Sequence, residues 1–483
     1  MLKQTWRALD GLTVEECWQR HRNLMWAAVL TGLFLVSFAG NMNRGLLETT
    51  EGRYAECARE MLETGNFLEP SLDYTPHWTK PPMAYWSMAA GMVLTGASEP
   101  GARMGNAVAF VCTGLLTAWL AWRLWGQLAG MAALAVYATS VLPMLGGTFL
   151  STDMLLTFWE TLAVACYLLW ANSPRTSRTL LAVMWAVFGL AFLTKGPPGL
   201  LPLLAIIPWH VWRFRDGRLF HPGGLALFAL LGLGWFGFII WKHPDLLSYY
   251  VREELVGRVA TDAFNRNPQW YKPLVIYGPV LFLGQIHWAW LAQSPKKAWL
   301  ALPRELRSFL GLWAGLPLIV FCVAKSRLPL YVLPLSIPLT LFIAHGLAQH
   351  REKLRLRTAA AIFAGAILVT AGARAILGIV PMHQNMRQLH AGVTDAGSGQ
   401  IVALVMEKAY GLQFYADGKV AWLGTEGGKR ADALDTFLDN ASGRYRLVAR
   451  MKDKALVENV FRSHEVSPSV HDLKNWIVLS FEK

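Results

Sequence analysis

Read for hydrophobic and polar positions, the chain alternates long apolar runs with short polar loops and ends in a polar stretch over 381–483. The runs fall near 24–40, 104–122, 126–145, 153–170, 180–194, 199–212, 222–241, 274–292, 309–324, 329–348 and 358–380. A straight membrane span needs roughly 20 apolar residues, so the shorter runs must borrow flanking loop residues. Segment 83–97 fits either a short span or a helix lying at the interface. The pattern predicts an all-α polytopic membrane bundle of about 11–13 transmembrane helices over 1–380, with first external loop 41–82.

The tail changes period. Ile401–Met406, Gly411–Tyr415, Tyr445–Ala449 and Trp476–Phe481 read as strands, and Arg430–Leu438 and Lys452–Val460 as helices. This predicts a small C-terminal soluble α/β domain over 381–483, with Gly397-Ser398-Gly399 as linker. The polar stretch before the first run extends to about residue 23, and Asn41-Met42-Asn43-Arg44 rather than a small-residue cleavage site follows that run, so 24–40 reads as an uncleaved span.

Composition sharpens this. Only 16% of the 483 residues are charged, well under the about 25% of soluble domains. The 22 tryptophans suit the headgroup zone. The formal net charge of +13 would suggest nucleic acid in a soluble protein. Here much of it sits in short loops and no nucleic-acid module accompanies it, so no nucleic-acid partner is expected. Five cysteines, at 17, 57, 112, 166 and 322, show neither disulfide nor metal-knuckle spacing.

Basic residues also give sidedness. With the N-terminus in the cytoplasm, Arg123, Arg175, Arg178, Arg213, Arg215, Arg218, Lys296, Lys297, Arg304, Arg307 and Arg351–Arg357 fall in cytoplasmic loops. The opposite face then receives 41–82, 146–152, 195–198, 242–273, 325–328 and the tail.

That face collects the sparse chemistry. The first external loop holds Glu48, Thr50, Glu51, Arg53, Tyr54 and Glu56, with a helix beginning near Thr50 that Thr49 or Thr50 can cap. The loop ends Lys80-Pro81-Pro82, followed by Tyr85 and Trp86. The prolines stiffen the base of Lys80, whose ammonium suits a lipid-carrier phosphate or simply anchors at the interface. Asp153 heads a membrane helix, where the dipole stabilises its charge. Lys195, Lys325 and Arg327 sit at outer helix ends, against the usual basic bias. Singly, each has a bland structural reading. Together they point to a site for an anionic lipid-linked substrate. A transporter would more often show paired broken helices and buried charges near mid-membrane.

In order and spacing these residues resemble the lipid-carrier-dependent glycosyltransferases of the protein-O-mannosyltransferase superfamily, closest to the aminoarabinose transferases that modify lipid A. The resemblance rests on Thr50–Glu56, Trp78–Trp86, Thr152-Asp153, Thr194-Lys195-Gly196, Tyr249–Tyr271 with Arg258, and Val323–Leu333 with Tyr331. It implies a GT-C fold in a bacterial inner membrane, with a periplasmic active site. It also implies a polyprenyl-phosphate-linked sugar donor and a lipid A, lipopolysaccharide or other envelope acceptor, with a protein acceptor as the alternative.

One position departs from the family pattern Asp-Glu-x-Arg-Tyr: Thr50 stands where the aspartate is expected. The carboxylate role then falls to Glu51 or Glu48, directly or through a divalent metal ion, or activity is lost and the chain is a scaffold. Lys80, Lys195, Lys325, Arg327 and Arg53 would hold the carrier phosphate; Tyr54, Tyr85, Arg258 and Tyr331 would contact substrate; Asp153 would assist. No nucleotide cofactor is expected, because the donor is already activated and no Walker A or dinucleotide fingerprint is present.

Overall fold

Inside hydrocarbon, backbone groups can only bond within the protein, so apolar runs of this length fold as helices. In the computed structural model, the described residues are 11–38, 44–173, 177–257, 261, 266–290, 295–379, 385–404, 409–423 and 430–483. Among them, seven helices are long and apolar enough to cross a membrane: Glu99–Trp125, Asp153–Ala171, Arg178–Lys195, Pro222–Lys242, Arg304–Val323, Pro329–Gln349 and Leu356–Ile376. Helices Gln127–Thr139 and Val141–Thr148, bent by 60° at Ser140, make an eighth if counted as one span.

The chain is thus a multi-pass membrane protein, and among the described residues it has fewer full-length spans than apolar runs. Run 199–212 forms a helix of only 12 residues, Leu203–Phe214. Run 274–292 breaks after Leu281 into short helical pieces. Segment 83–97 is the 13-residue helix Met83–Thr95, too short to cross straight. The first run is the apolar end of helix Val14–Phe38.

The chain forms two compact units: 1–42, 78–87 and 103–375 in the first, and 43–77, 88–102 and 376–483 in the second. In the first, small residues allow close helix packing. Helix Arg178–Lys195 meets the π-helical turn Ala229–Leu233 at Gly189 and Gly232, where a Cβ on Gly232 would lie 3.1 Å from the Gly189 Cα. Buried polar groups find partners. Trp288 Nε1 donates to Thr139 Oγ1 at 2.6 Å, and Asn106 Nδ2 to the Phe149 carbonyl at 2.9 Å. Arg374, 2% exposed, donates to Thr148 Oγ1 and the Met144 carbonyl, placing a cation at the C-terminal end of helix Val141–Thr148.

In the second unit, β1 (Ser71–Leu72) and β2 (Thr75–Pro76) form a hairpin whose turn N–H groups at Asp73 and Tyr74 donate to the buried Glu60 carboxylate. The tail sheet comprises β3 (Gln400–Leu404), β4 (Val420–Leu423), β5 (Arg444–Arg450), β6 (Ser469–Leu473) and β7 (Trp476–Glu482), in the order β4-β3-β5-β7-β6. β3 runs parallel to β4 and β5, and β7 antiparallel to β5 and β6.

Two sequence expectations change in this unit. Gly411–Tyr415 is helical, Tyr410–Tyr415, not a strand. Gly397–Gly399 is no interdomain linker: it joins helix Met386–Asp395 to β3 inside the domain. Segment 44–77 belongs with the tail, to which it is stitched by a Leu47–Asn385 bridge and the Met386 N–H on the Leu46 carbonyl at 3.0 Å.

Candidate active site

Helix Thr50–Thr64 starts at the expected place but without the expected side-chain cap; neither threonine hydroxyl closes its N-terminus. Its first turn is fixed instead by Glu51, whose carboxylate accepts the Leu47 N–H at 2.9 Å. Both Glu51 oxygens are also held by Arg44, at 2.8 and 2.6 Å, in a bidentate pair with side-chain exposures of 1% and 4%. Arg44 was not among the residues singled out from the sequence. It precedes the helix, so no helical spacing connects it to Glu51.

Glu48 is held differently. One oxygen accepts the Gly411 N–H at 2.8 Å, while Oε1 is buried without a hydrogen-bond partner. Burial pushes its carboxyl up to about 7, against the lowering pull of the Gly411 N–H and of Arg53. Glycine is required on both sides of this contact. A Cβ on Gly52 would lie 2.6 Å from Glu48 Oε2, and one on Gly411 2.5 Å from Met386 Cγ. The helical turn 410–415 continues the support: the Tyr415 hydroxyl accepts the Leu46 N–H at 2.9 Å and donates to Glu99, which also pairs with Arg387 at 2.6 Å. Arg53 is half-buried over the Tyr54 ring, 5.4 Å from its centroid.

In the first unit, three predicted residues converge. Helix Asp153–Ala171 begins at Asp153, and Lys195 ends helix Arg178–Lys195. The Lys195 ammonium ion-pairs with Asp153 and lies 4.4 Å from the centroid of the Tyr331 ring. Glu160, inside an apolar run and not among the residues singled out from the sequence, lies on the same helical face two turns deeper. It is 3% exposed, feels the charges of Lys195 and Asp153, and has a buried Oε1 without a hydrogen-bond partner. An acid inside an apolar run was the signal for it.

Lys80 pairs with Glu254 at 3.2 Å and donates to the Thr79 carbonyl at 2.7 Å. Glu254 was also missed. It sits in the π-helix Tyr250–Gly257, whose wider turn departs from the ordinary helical register. Arg327 is a clamp: its guanidinium donates to the carbonyls of Asn267, Gln269 and Cys322 at 2.8–2.9 Å. Arg266 reaches the Tyr331 hydroxyl at 3.2 Å, and Lys325 is half-buried. Tyr85 is fully buried, and Arg258 lies outside the described residues.

The donor set does not favour a metal ion at Glu48 and Glu51. Both Glu51 oxygens face a guanidinium, and among the described residues no group of three His, Cys, Asp or Glu side chains could hold one.

The comparisons bear on this geometry. A family model described as dolichyl-phosphate-mannose-protein mannosyltransferase matches residues 23–250. An undecaprenyl phosphate-alpha-4-amino-4-deoxy-L-arabinose arabinosyl transferase of Pseudomonas paraeruginosa is 30% identical over 378 residues, 75% of this chain and 68% of that one. One from Erwinia tasmaniensis is 33% identical over 349 residues, 70% of this chain; the match spans 61% of that relative's length, under two thirds. The crystal structure of ArnT from Cupriavidus metallidurans bound to undecaprenyl phosphate matches with a TM-score of 0.77 at 18% identity, over 95% of this chain and 97% of that one. At that identity the likeness shows a shared fold: the helical membrane bundle with a small C-terminal α/β domain.

Proposed function

This chain belongs to the family of undecaprenyl phosphate-aminoarabinose arabinosyl transferases, and from that premise we propose that it is a glycosyltransferase drawing on a polyprenyl-phosphate-linked sugar. The acceptor is lipid A or a related lipopolysaccharide of the cell envelope, and the reaction takes place at the periplasmic face of a bacterial inner membrane. The observation that carries this reading is the state of two lysines. Lys195 and Lys80 are each held by a carboxylate, Asp153 and Glu254, and an arriving phosphate competes for such an ammonium.

In the proposed step, an acceptor oxygen attacks the sugar C1 as the C1–O bond to the carrier phosphate breaks, inverting C1. The electron pair leaves with polyprenyl phosphate. Lys195 and Lys80 neutralise the added charge, and Tyr331 holds the Lys195 ammonium in place. The acceptor proton passes to a carboxylate. Glu48 suits that role better than Glu51: it has an unpartnered oxygen and a proton affinity set near neutrality, whereas Glu51 is closed by Arg44. Arg327 contributes by fixing the loop before Tyr331 rather than by direct phosphate contact.

Mass spectrometry of lipid A from cells with and without the gene tests the acceptor. A sugar adduct that disappears with the gene supports the reading. An unchanged profile when the gene is expressed moves the acceptor to another glycan or to protein.

A further inference from the structure

At the other end of helix Arg304–Val323 from Lys325, the first unit holds a cavity of about 600 Å³ that the proposed reaction does not use. At 1.5 Å per residue the helix separates the two by about 30 Å, a membrane's hydrocarbon thickness. Trp209, Trp212 and Trp299 line the cavity together with Arg304, Arg307 and Ser308. Arg304, exposed, lies 5.9 Å from the Trp212 ring centroid; Arg307 is half-buried one turn on. The intervening carboxylate is taken elsewhere: Glu305 pairs with Arg213 at 3.5 Å, and its carbonyl accepts the Trp209 indole N–H at 2.9 Å. Among the described residues, neither Arg304 nor Arg307 makes an ion pair with a carboxylate.

We propose that this cavity binds an anionic phospholipid of the leaflet at that end of the bundle, with its phosphate between Arg304 and Arg307 and its upper acyl chain along the three tryptophans. The two guanidinia set the ligand's charge. The indoles, whose apolar rings and N–H groups favour headgroup depth, set its lipid character. A free anion would use the arginines but leave the tryptophan wall without a partner. The basic loops on this side, Arg213–Arg218 and Arg304–Arg307, agree with a negatively charged leaflet surface.

The test is native mass spectrometry of the purified full chain with phosphatidylglycerol and phosphatidylcholine of matched chains, and with inorganic phosphate. The wild type should retain phosphatidylglycerol over phosphatidylcholine. Arg304→Gln and Arg307→Gln should each weaken that retention roughly fivefold, about what one basic residue contributes at an anionic surface. Equal retention of both lipids by the wild type would overturn the proposal, and this arm needs no variant to fold. Undiminished retention by a folded double variant would also overturn it. Displacement of the lipid by millimolar inorganic phosphate would identify a soluble-anion site instead.

Discussion

The two units hold their charges by different means. In the membrane unit, Lys195 and Lys80 are paired with carboxylate side chains, Asp153 and Glu254, and rotamer changes alone can separate such pairs. In the second unit, Glu48 is fixed by a backbone N–H within a glycine-lined contact, and Glu51 by a buried bidentate arginine. An ammonium that can exchange its partner suits an arriving and departing phosphate. A carboxylate anchored to backbone suits a group that must stay in place while it takes a proton. The contrast separates binding groups from positioned ones, and each variant below is chosen to break or sharpen it.

The largest effect is expected at Glu48. Glu48→Gln should lower turnover by about 10²–10⁴-fold in protein that still inserts, the usual scale for loss of a general base. A base must be deprotonated to act, and the Glu48 carboxyl is pushed up to about 7. Wild-type kcat/KM should therefore rise with pH to a plateau above about 7 and fall about tenfold per unit well below it. The Gln variant should lack that limb, and a profile unchanged by the substitution would transfer the role to another carboxylate.

Next come the lysines. Lys195→Ala should cost about 10²–10³-fold, the scale of losing one preorganised donor to a developing anion. Lys80→Ala should act in the same direction and Lys80→Arg recover part of the loss, because charge is kept but reach and geometry change. Binding of a polyprenyl-phosphate sugar to folded Lys80→Ala protein separates the roles. Wild-type affinity and turnover would leave Lys80 as an interfacial anchor.

Glu51→Gln should instead act on stability. Removing the carboxylate charge from this buried bidentate pair should cost about 3–5 kcal/mol. Thermal unfolding should show the loss, whereas a stable but inactive variant would mean that Glu51 does chemistry. The smallest expected effect is Tyr415→Phe, which removes one hydroxyl from the Leu46 and Glu99 contacts and should cost about 1 kcal/mol. A larger drop in turnover than in stability would show that the helical turn 410–415 tunes Glu48.

The helix starts at Thr50 and Asp153, the end at Lys195 and three of the five tail-sheet strands, β3, β5 and β7, follow hydrophobic period and turn residues, whereas β4 and β6 carried no such reading. Residues joined through three-dimensional packing were hidden. Arg44 has no helical register with Glu51, and Gly411–Tyr415 alternates like a strand yet folds as a turn because glycine packs against Glu48. Glu254 faces Lys80 only through a π-helical register that no local pattern announces. Arg327 could be placed at its helix end, but not its use as a carbonyl clamp, since carbonyls leave no mark in side-chain sequence.

The most direct test of the central claim is release of polyprenyl phosphate from a labelled lipid-linked sugar by the purified chain, with lipid A as acceptor, in wild type and Lys195→Ala. The account predicts release coupled to sugar transfer by the wild type and a loss of about 10²–10³-fold in the variant. It would be contradicted by a folded wild type that releases nothing from any such donor, or by a variant that releases as fast as the wild type.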